Sequence, residues 1–531
     1  MTPARGRRTL GLAGAALAGL VAYDLTQHRH AILRNFPVVG HLRFLLEAFG
    51  PELRQYIVTG SDDERPFSRN ERRWVYATAK RQDPHFGFGS DSEWSRRPGH
   101  VLIKQAEFPH PQPVGGDPEG WPLPCAKVLG AANGRRHAFR PASVVNVSGM
   151  SFGALGGRAV EAMNRGAARA DCLHNTGEGG LSVHHRHGAD IVFQIGTAYF
   201  GCRDSDGRFS LSKLVELVAE NPIRAIEVKL SQGAKPGVGA LLPATKVTPE
   251  IAAARGIPVG RDCQSPPAHA EFGDVAGLVE FIERIADATG LPVGIKSAVG
   301  ELAFWDELAR RMERESGGPD FITIDGGEGG TGAGPLVFTD HVALPFRLAL
   351  ARTYRIFAEA GISERIVFVG SGLLGLPANA LLGFAMGCDM VNVGREAMLA
   401  VGCIQAQRCH TGRCPTGVAT QSPWRQRGLD PGLKADRLAN YVGGLRAELL
   451  RLARTCGVAH PALVTCNQLE LLDGQRSTSA AKRFGYRPGW GLPSERDRAE
   501  VVRLMEALAR SPSEAAPRTV PTGRGELPRV P

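Results

Sequence analysis

The sequence predicts an α/β protein built on a (β/α)8 TIM barrel, with an N-terminal cap region and a helical C-terminal extension. Between residues 141 and 420, short runs rich in β-branched residues alternate with helical stretches, as is typical of parallel βα units. Eight candidate strands fall within about 250 residues, the usual size of one TIM barrel. Unusual residues also follow the predicted strands directly, where such a barrel places its chemistry. A doubly wound sheet is the alternative.

The predicted strands are separated by stretches long enough for a helix. Three of these stretches are predicted helices, Ala154–Ala170, Val275–Thr289 and Ala378–Gly387. The strands are Val144–Val147, Cys172–Asn175, Ile191–Ile195, Ala225–Lys229, Val293–Lys296, Phe321–Asp325, Ile366–Val369 and Met390–Val393.

Composition changes along the 531 residues predict five regions. A stretch rich in Pro and Gly precedes the alternating pattern, and a Pro-, Ser- and Arg-rich stretch ends the chain. The regions are a short apolar segment at 1–24, a cap region at 25–140, the barrel at 141–420, a helical extension at 421–510 and a disordered tail at 511–531.

The overall composition is that of a globular protein, with 43% apolar and 22% charged residues. The net charge of +10 raises the question of nucleic acid, but the arginines are scattered and aromatic residues are only 7%. We therefore expect no nucleic-acid partner. A basic protein also suits an anionic substrate and a phosphate-bearing cofactor.

The N-terminus carries the one candidate membrane segment. An uncharged stretch from Thr9 to Tyr23 follows three arginines and is shorter than the roughly 20 residues that span a bilayer. It fits a signal-peptide core, a remnant anchor or an exposed amphiphilic helix. We expect membrane association through residues 9–23. Seven of the ten cysteines are dispersed, which favours reduced thiols and a cytoplasmic barrel.

A glycine-rich motif, "GSGLLG", follows the seventh predicted strand. It matches the dinucleotide-binding pattern, but that pattern needs an acidic residue after a further strand, and Asp389 precedes the next strand. Glycines after the last two strands of a barrel better fit a phosphate held by backbone N–H groups. The candidate phosphate ligands are Ser371, Gly372, Gly394 and Arg395.

Cations occur at two other predicted strand ends. Lys296 lies in an otherwise apolar strand, either as a structural ion-pair partner or as a cation beside a reduced flavin. The loop "KLSQGAKPGVG" brings Lys229, Gln232 and Lys235 within a few residues. Such loops are often ordinary surface, but two cations and an amide would suit a dicarboxylate.

Three cysteines are clustered in "CIQAQRCHTGRCP", namely Cys403, Cys409 and Cys414. Zinc is one possibility, with His410 as a fourth ligand, although zinc sites usually use closely spaced cysteine pairs. The wide spacing and the following Pro415 are more typical of an iron–sulfur cluster.

Five motifs together resemble the FMN-binding synthase domain of glutamate synthase in its stand-alone bacterial form. They are "SGMSFGAL", "NTGEGG", "KLSQGAKPGVGALLP", "DGGEGGTGAGP" and "CIQAQRCHTGRCPTGVATQ", in the family's order, between Ser143 and Gln421. The sequence departs from larger members at Gly327 and Glu328, where they tend to carry His-Asp. The glutaminase domain with its N-terminal cysteine and the C-terminal β-helix are not found, so we expect no ammonia transfer from glutamine within this chain.

The resemblance implies a glutamate synthase-type oxidoreductase with FMN and a 3Fe–4S cluster. It implies reductive amination of 2-oxoglutarate, with electrons relayed by the cluster from an unidentified donor and ammonia from solution or a separate subunit. The implied flavin contacts are Met150, Ser151, Lys296, Gly327 and Gly329. The implied catalytic and substrate residues are Glu178, Lys229, Gln232 and Lys235, and the implied cluster ligands are the three clustered cysteines. The alternatives are an FMN-dependent dehydrogenase or oxidase of another amino or oxo acid, and a membrane-tethered electron carrier without enzymatic activity.

Overall fold

A computed structural model describes residues 3–48, 64–82, 87–94, 98–111 and 122–510. The predicted tail at 511–531 lies outside the described residues. In chain order the strands are β1 (His100–Ile103), β2 (Val145–Val147), β3 (His174–Asn175), β4 (Ile191–Ile195), β5 (Ile223–Lys229), β6 (Leu241–Leu242), β7 (Cys263–Gln264), β8 (Val293–Ser297), β9 (Phe321–Asp325), β10 (Val367–Ser371), β11 (Met390–Val393), β12 (Leu469–Asp473) and β13 (Arg476–Ser479).

Eight parallel strands form a closed barrel. Its order is β2, β3, β4, β5, β8, β9, β10 and β11, and β11 pairs again with β2 through Val391 opposite Val145. Closure confirms the predicted (β/α)8 fold and excludes the doubly wound sheet. Each predicted strand corresponds to one barrel strand, with ends that differ by two residues at most, because runs of buried β-branched residues mark strands buried on both faces.

Helices surround the barrel and extend from both ends of it. The α-helices of the described residues are Pro3–Thr26, Ala31–Asn35, His41–Ala48, Arg69–Ala79, Gly157–Arg169, Leu211–Glu220, Pro249–Arg255, Val275–Thr289, Ala303–Arg314, Leu336–His341, Phe346–Glu359, Pro377–Ala385, Arg395–Ala400, Pro423–Gln426, Pro431–Thr455, Ala480–Phe484 and Glu495–Arg510.

The helix Val275–Thr289 shows how local sequence sets these elements. The Asp274 side chain caps its first turn by accepting a hydrogen bond from Gly277 N at 2.8 Å. Gly290 ends it in the left-handed conformation, with φ +74°. Its apolar residues are buried against the barrel. The structure reproduces the predicted bounds of this helix because both ends carry a strong local signal.

The region after the barrel contains more than the predicted helices. The helix Pro431–Thr455 packs closely on Gly157–Arg169, where a Cβ on Gly166 would lie 2.7 Å from Leu438 Cβ. Strands β12 and β13 then form a hairpin within residues 421–510, and β12 pairs antiparallel with β1 of the cap region. The sequence analysis missed this three-stranded sheet, since β1 and β12 are far apart in the chain.

The N-terminal helix Pro3–Thr26 is anchored at its C-terminal end. Residues 11–19 are exposed on every face of this helix. The buried Asp24 accepts hydrogen bonds from Val38 N and His41 Nε2, both at 2.8 Å. In the part of the chain that the structure describes, no helix combines the length and apolarity needed to cross a bilayer.

Buried histidines predict acid sensitivity. Burial lowers the pKa of His174 to about 3 and that of His460 to about 4, and it lowers the pKa of His185 well below its ordinary value. The folded state therefore binds fewer protons than the unfolded state below about pH 6.5, and stability falls as pH decreases.

We expect each of these three histidines to cost about 1.4 kcal/mol at about pH 5.5 relative to pH 7.5. Urea unfolding at the two pH values measures the difference. His174→Gln should remove about a third of it. An unfolding midpoint that does not depend on pH would contradict the assignment.

Candidate active site

The charged residues singled out by sequence converge on one end of the barrel. Lys229 ends β5 and lies opposite Lys296 in β8, while Asp325 ends β9 opposite Ser371 in β10. These are the carboxyl ends of parallel strands, so their side chains and the following loops share one rim. The predicted substrate and cofactor residues are therefore brought together in space.

A buried charged triad lies at the end of β5. The Lys229 ammonium donates to Glu178 Oε1 and to Gln232 Oε1, each at 2.7 Å. Burial by itself raises the pKa of Glu178, but attraction to Lys229 and Lys235 outweighs it and lowers that pKa below its ordinary value. Glu178 is thus a carboxylate at neutral pH and can accept hydrogen bonds at the barrel rim.

Lys235 differs from its neighbours because its ammonium has no partner. Its side chain is only 6% exposed, yet among the described residues it makes no hydrogen bond and no ion pair. Burial lowers its pKa, attraction to the Glu178 carboxylate opposes this effect, and repulsion from Lys229 adds to it. An unpaired buried cation is costly, so this ammonium suits an anionic ligand.

Gly233 lets the loop of Lys235 contact the loop after β9. A Cβ on Gly233 would lie 1.7 Å from the carbonyl oxygen of Gly326, so no larger residue fits. Gly233 N also donates to Asp325 Oδ2 at 3.0 Å. The substrate-candidate loop is thereby fixed against the loop that carries the candidate flavin glycines.

Lys296 forms an ion pair with Asp325, a residue that sequence reasoning did not single out. Its Nζ lies 3.4 Å from Asp325 Oδ2. Burial acts to lower the pKa of Lys296, but attraction to Asp325 and Glu227 raises it above its ordinary value, so the residue stays cationic. An acidic residue that ends a strand directly before a glycine loop is the signal that could have identified Asp325.

A second missed residue, Glu227, lies inside the barrel. Its carboxylate accepts hydrogen bonds from Asn175 and Gln194 side chains at 2.8 and 2.7 Å and from Thr323 at 2.6 Å. The three donors come from three different strands. Glu227 therefore ties strands together beneath the rim and contributes negative charge near Lys296. No local sequence pattern marks it.

The candidate phosphate residues lie at the ends of the adjacent strands β10 and β11. Ser371 is buried, and Gly372 has φ +141°. Within the described ranges, the backbone N–H groups of Gly372, Gly394 and Arg395 make no backbone hydrogen bond. Free N–H groups beside a guanidinium are the donor set that a phosphate monoester requires.

Arg395 also bonds to the loop after β9. Its guanidinium donates to the Glu328 carbonyl oxygen and lies 5.4 Å from the ring centre of Phe67. The Glu328 carboxylate turns away and accepts a hydrogen bond from Phe346 N at 2.8 Å. Glu328 is one of the two positions at which the sequence differs from larger members of the family that it resembles. Here its carboxylate fixes the start of the helix Phe346–Glu359.

The remaining candidate flavin residues differ in what they can offer a ligand. The N–H groups of Gly327 and Gly329 already donate to backbone carbonyls, both at 2.9 Å, so these glycines can approach a ligand but not donate to it. Met150 and Ser151 lie against the loop after β3, where a Cβ on Gly177 would be 2.6 Å from Ser151 N. They line the same rim.

The three clustered cysteines lie on the segment that follows the helix Arg395–Ala400. Burial raises the pKa of Cys403 to about 12, and repulsion from Cys414 and Cys409 adds to the effect. His410 is exposed. No group of three His, Cys, Asp or Glu side chains in the described residues is arranged to hold a metal ion.

Two contacts position this cysteine segment. Tyr76 donates through its hydroxyl to the Cys403 carbonyl oxygen at 2.7 Å. Lys246 donates to the Cys409 carbonyl oxygen, also at 2.7 Å, and is buried. Sequence reasoning missed Lys246, which lies in an ordinary-looking loop. Lys246 thus places a buried cation beside the cysteine segment.

Fold and site define a (β/α)8 barrel whose rim brings buried lysines and carboxylates together. The chain belongs to the glutamate synthase family, because the family model "Conserved region in glutamate synthase" matches residues 131–459. This membership confirms the resemblance and the predicted class, a glutamate synthase-type oxidoreductase.

Two relatives illustrate the range of similarity. The glutamate synthase large subunit-like protein YerD of Bacillus subtilis is 36% identical over 471 residues, covering 82% of this chain and 89% of the relative. An archaeal glutamate synthase [NADPH] of Methanocaldococcus jannaschii is 33% identical over 335 residues, covering 62% of this chain. This chain thus spans 61% of the archaeal protein's length.

Among solved structures, a flavocytochrome b2 variant with pyruvate bound is similar with a TM-score of 0.42 and 13% sequence identity. The similarity covers 86% of this chain and 90% of that chain. A TM-score at this level supports no conclusion about substrate or cofactor.

Proposed function

We propose that the protein carries out the reductive amination of 2-oxoglutarate to glutamate with FMN as its resident cofactor. The observation that carries this proposal is the buried, unpaired ammonium of Lys235 beside Lys229 and Gln232. Family membership supports the reaction class.

Lys235 and Gln232 would bind the substrate. Gln232 Oε1 is occupied by Lys229, so its amide nitrogen is the part left to donate to a ligand. A charge-assisted hydrogen bond from Lys235 would hold a carboxylate, and the Gln232 amide would orient the neighbouring oxo group. A cation for the carboxylate and an amide for the oxygen beside it together suit an oxo acid such as 2-oxoglutarate.

Glu178 and Lys229 would manage the protons of the amination. Condensation of 2-oxoglutarate with ammonium releases water and gives 2-iminoglutarate, so one group must accept protons from ammonium and another must protonate the departing oxygen. The Glu178 carboxylate is an acceptor at neutral pH, and Lys229 Nζ donates to its Oε1 at 2.7 Å.

The residues at the rim fit FMN. Gly372, Gly394 and Arg395 would hold its phosphate, Met150 and Ser151 would contact the ring system, and Lys296 would lie beside it as a cation. When bound, FMN supplies a hydride to the imine carbon. The Lys296 cation would favour an anionic reduced cofactor, and Asp325 and Glu227 keep that lysine protonated.

We expect Arg395→Gln to weaken FMN binding about ten- to hundredfold, the value of one charge-assisted hydrogen bond. Fluorescence titration of the apoprotein with FMN measures the change. Arg310→Gln, an exposed arginine on the helix Ala303–Arg314, is the matched control. Equal FMN affinity in Arg395→Gln and wild type would show that the phosphate binds elsewhere.

We also propose that Cys403, Cys409 and Cys414 hold a 3Fe–4S cluster that provides single electrons when bound. The segment offers three thiols, and the buried Lys246 lies beside it. Three ligands leave no cysteine for a fourth iron. The donor and the source of ammonia are proposed to be separate proteins or solutes.

Cys409→Ser is expected to lose bound iron and acid-labile sulfide, since a cluster cannot form on two thiolates. The matched control is Cys466→Ser, because Cys466 is buried and its thiol donates to the Ala385 carbonyl oxygen, far along the chain from the cluster segment. Iron and sulfide analysis after anaerobic reconstitution compares the two. Full iron content in Cys409→Ser would refute the ligand assignment.

The N-terminal segment is proposed to attach the protein to a membrane surface, with the barrel in the cytoplasm. Support comes from the fully exposed turns at residues 11–19 of the first helix, which carry apolar side chains such as Leu12 and Leu17. Thiolate ligands also favour a reducing compartment. A C-terminal reporter that is active only in an oxidising compartment should remain inactive.

Substrate binding can be tested before any turnover. Isothermal titration of the oxidised, FMN-loaded protein should show 2-oxoglutarate binding more tightly than glutarate, which has both carboxylates but no oxo group for Gln232. Equal heats and affinities for the two ligands would contradict the proposed pose. Absence of binding by either would contradict the substrate class.

A further inference from the structure

Three cations gather where the N-terminal helices meet two longer helices of the body, and among the described residues none of them forms an ion pair. We call them the junction cations, Lys80, Lys434 and Arg437. Arg437 donates to the Arg29 carbonyl oxygen at 3.1 Å, and Asn440 of the same helix donates at 3.2 Å to the carbonyl oxygen of Ala79, the residue before Lys80. Burial, followed by the charges of the junction cations, lowers the pKa of the adjacent His30 to about 4, so this histidine is neutral. Like charges gathered in this way store electrostatic energy that an anion would release.

Lys434 is the least accessible of the junction cations. It is 2% exposed, and among the described residues its ammonium makes no hydrogen bond and no ion pair. Burial, with repulsion from Arg437 and Lys80, lowers its pKa to about 7. Its Nζ lies beside the backbone, 3.3 Å from where a Cβ on Gly402 would stand. The barrel site described above does not use this residue.

The nearby carboxylates are already bound to other groups. Glu47 pairs with Arg43 at 2.8 Å. Asp430 caps its own helix by accepting from Leu433 N at 2.9 Å, and Asp24 is held within the N-terminal helices. The protein therefore does not neutralise the junction cations with its own described acidic groups.

An apolar surface adjoins the same helices. His30 packs edge-on against Phe44 of the helix His41–Ala48, with ring centres 4.8 Å apart. Large apolar side chains of that helix and of the turn before it are exposed to between 52% and 66%, namely Val39, Leu42, Leu45 and Leu46. The exposed turns of the first helix also carry Leu12 at 73% and Leu17 at 51%. A bilayer interface offers anionic phosphate groups, which unpaired cations can bind, and acyl chains, which exposed leucines can contact.

We propose that the junction cations bind the phosphate group of an anionic phospholipid while the exposed leucines enter the headgroup region. This proposal rests on the membrane association proposed above and specifies the lipid class that it prefers. Inorganic phosphate shares the headgroup's charge and hydrogen-bonding chemistry but offers nothing to the leucines, so the two sources can be separated.

Vesicle flotation of the full-length, FMN-loaded protein tests the preference. Retention should be stronger on phosphatidylcholine mixed with phosphatidylglycerol than on phosphatidylcholine alone. Lys80→Gln and Arg437→Gln should each lower retention on the anionic vesicles about fivefold, from about 1 kcal/mol per surface cation. Arg310→Gln is the control and should change nothing. Equal retention on both vesicle types would overturn the proposal. An equal loss of retention in Arg310→Gln would overturn it as well.

Lys434→Met separates the lipid from free phosphate. The variant should fold with a raised melting temperature, since it removes a buried unpaired charge. Anionic vesicles should raise the melting temperature of the wild type more than that of the variant, and inorganic phosphate should raise the melting temperature of the wild type less than vesicles do. Protection by phosphate with no further effect of vesicles would refute the lipid assignment.

Glutamate formation should be unchanged in Lys80→Gln and Arg437→Gln when it is measured without vesicles. Failure of the lipid proposal is therefore distinguishable from failure of the proposed reaction. Retention could instead be equal on neutral and anionic vesicles and disappear when residues 1–24 are deleted. That result would support membrane association but would show that the junction cations do not bind the headgroup.

Discussion

Lys235→Met is expected to lower kcat/KM for 2-oxoglutarate about ten- to hundredfold, because it removes a charge-assisted hydrogen bond worth about 1.5–3 kcal/mol. The loss should appear mainly in KM if Lys235 binds the substrate equally in the ground state and the transition state. FMN content should not change, since the lysine lies in the loop after β5 and the candidate phosphate residues follow β10 and β11.

Stability supplies an independent readout for the same variant. Lys235 is buried and unpaired, so methionine should keep or raise the melting temperature while it impairs substrate use. The matched control is Lys213→Met, an exposed lysine that donates to the Arg203 carbonyl oxygen at 2.9 Å. Unchanged kinetics in Lys235→Met, or an equal kinetic loss in Lys213→Met, would refute the substrate assignment.

Breaking the ion pair between Lys229 and Glu178 is expected to have the largest effect on stability. Removal of one partner leaves the other charge buried and costs about 3–5 kcal/mol. Lys229→Met and Glu178→Gln should therefore each destabilise the protein, and the double variant should cost less than the sum of the two. Urea unfolding of all four proteins gives the coupling energy.

Catalysis should respond differently to the same changes. The double variant should recover stability but not glutamate formation, because both proton-handling groups are then missing. Additive stability losses would show that the 2.7 Å contact between the two side chains contributes little. Recovery of activity in the double variant would show that neither side chain takes part in the proton transfers.

The barrel could be predicted because its signals are local. Buried strands appear as short β-branched runs, and Asp274 and Gly290 mark the two ends of a helix. The glycine-rich motifs also mark strand ends, since close backbone contacts such as that of Gly233 with Gly326 exclude larger residues. These features can be recognised in the sequence without any knowledge of contacts between distant residues.

The parts that sequence reasoning missed depend on distant residues. Glu227 is explained only by donors from three other strands, and Lys246 only by its approach to the Cys409 carbonyl. The sheet of β1 with β12 joins segments several hundred residues apart. The ion pair of Lys296, and the lack of one at Lys434 among the described residues, could not be predicted either, because both depend on how the chain folds.

The central claim is tested most directly by a single anaerobic turnover. Photoreduced, FMN-loaded protein is mixed with 2-oxoglutarate and ammonium, and the visible flavin band and glutamate are measured together. The account predicts that the band returns, that glutamate forms in equal amount to the flavin reoxidised, and that omission of either substrate prevents both. A band that stays bleached with both substrates present, or that returns without glutamate, would contradict it.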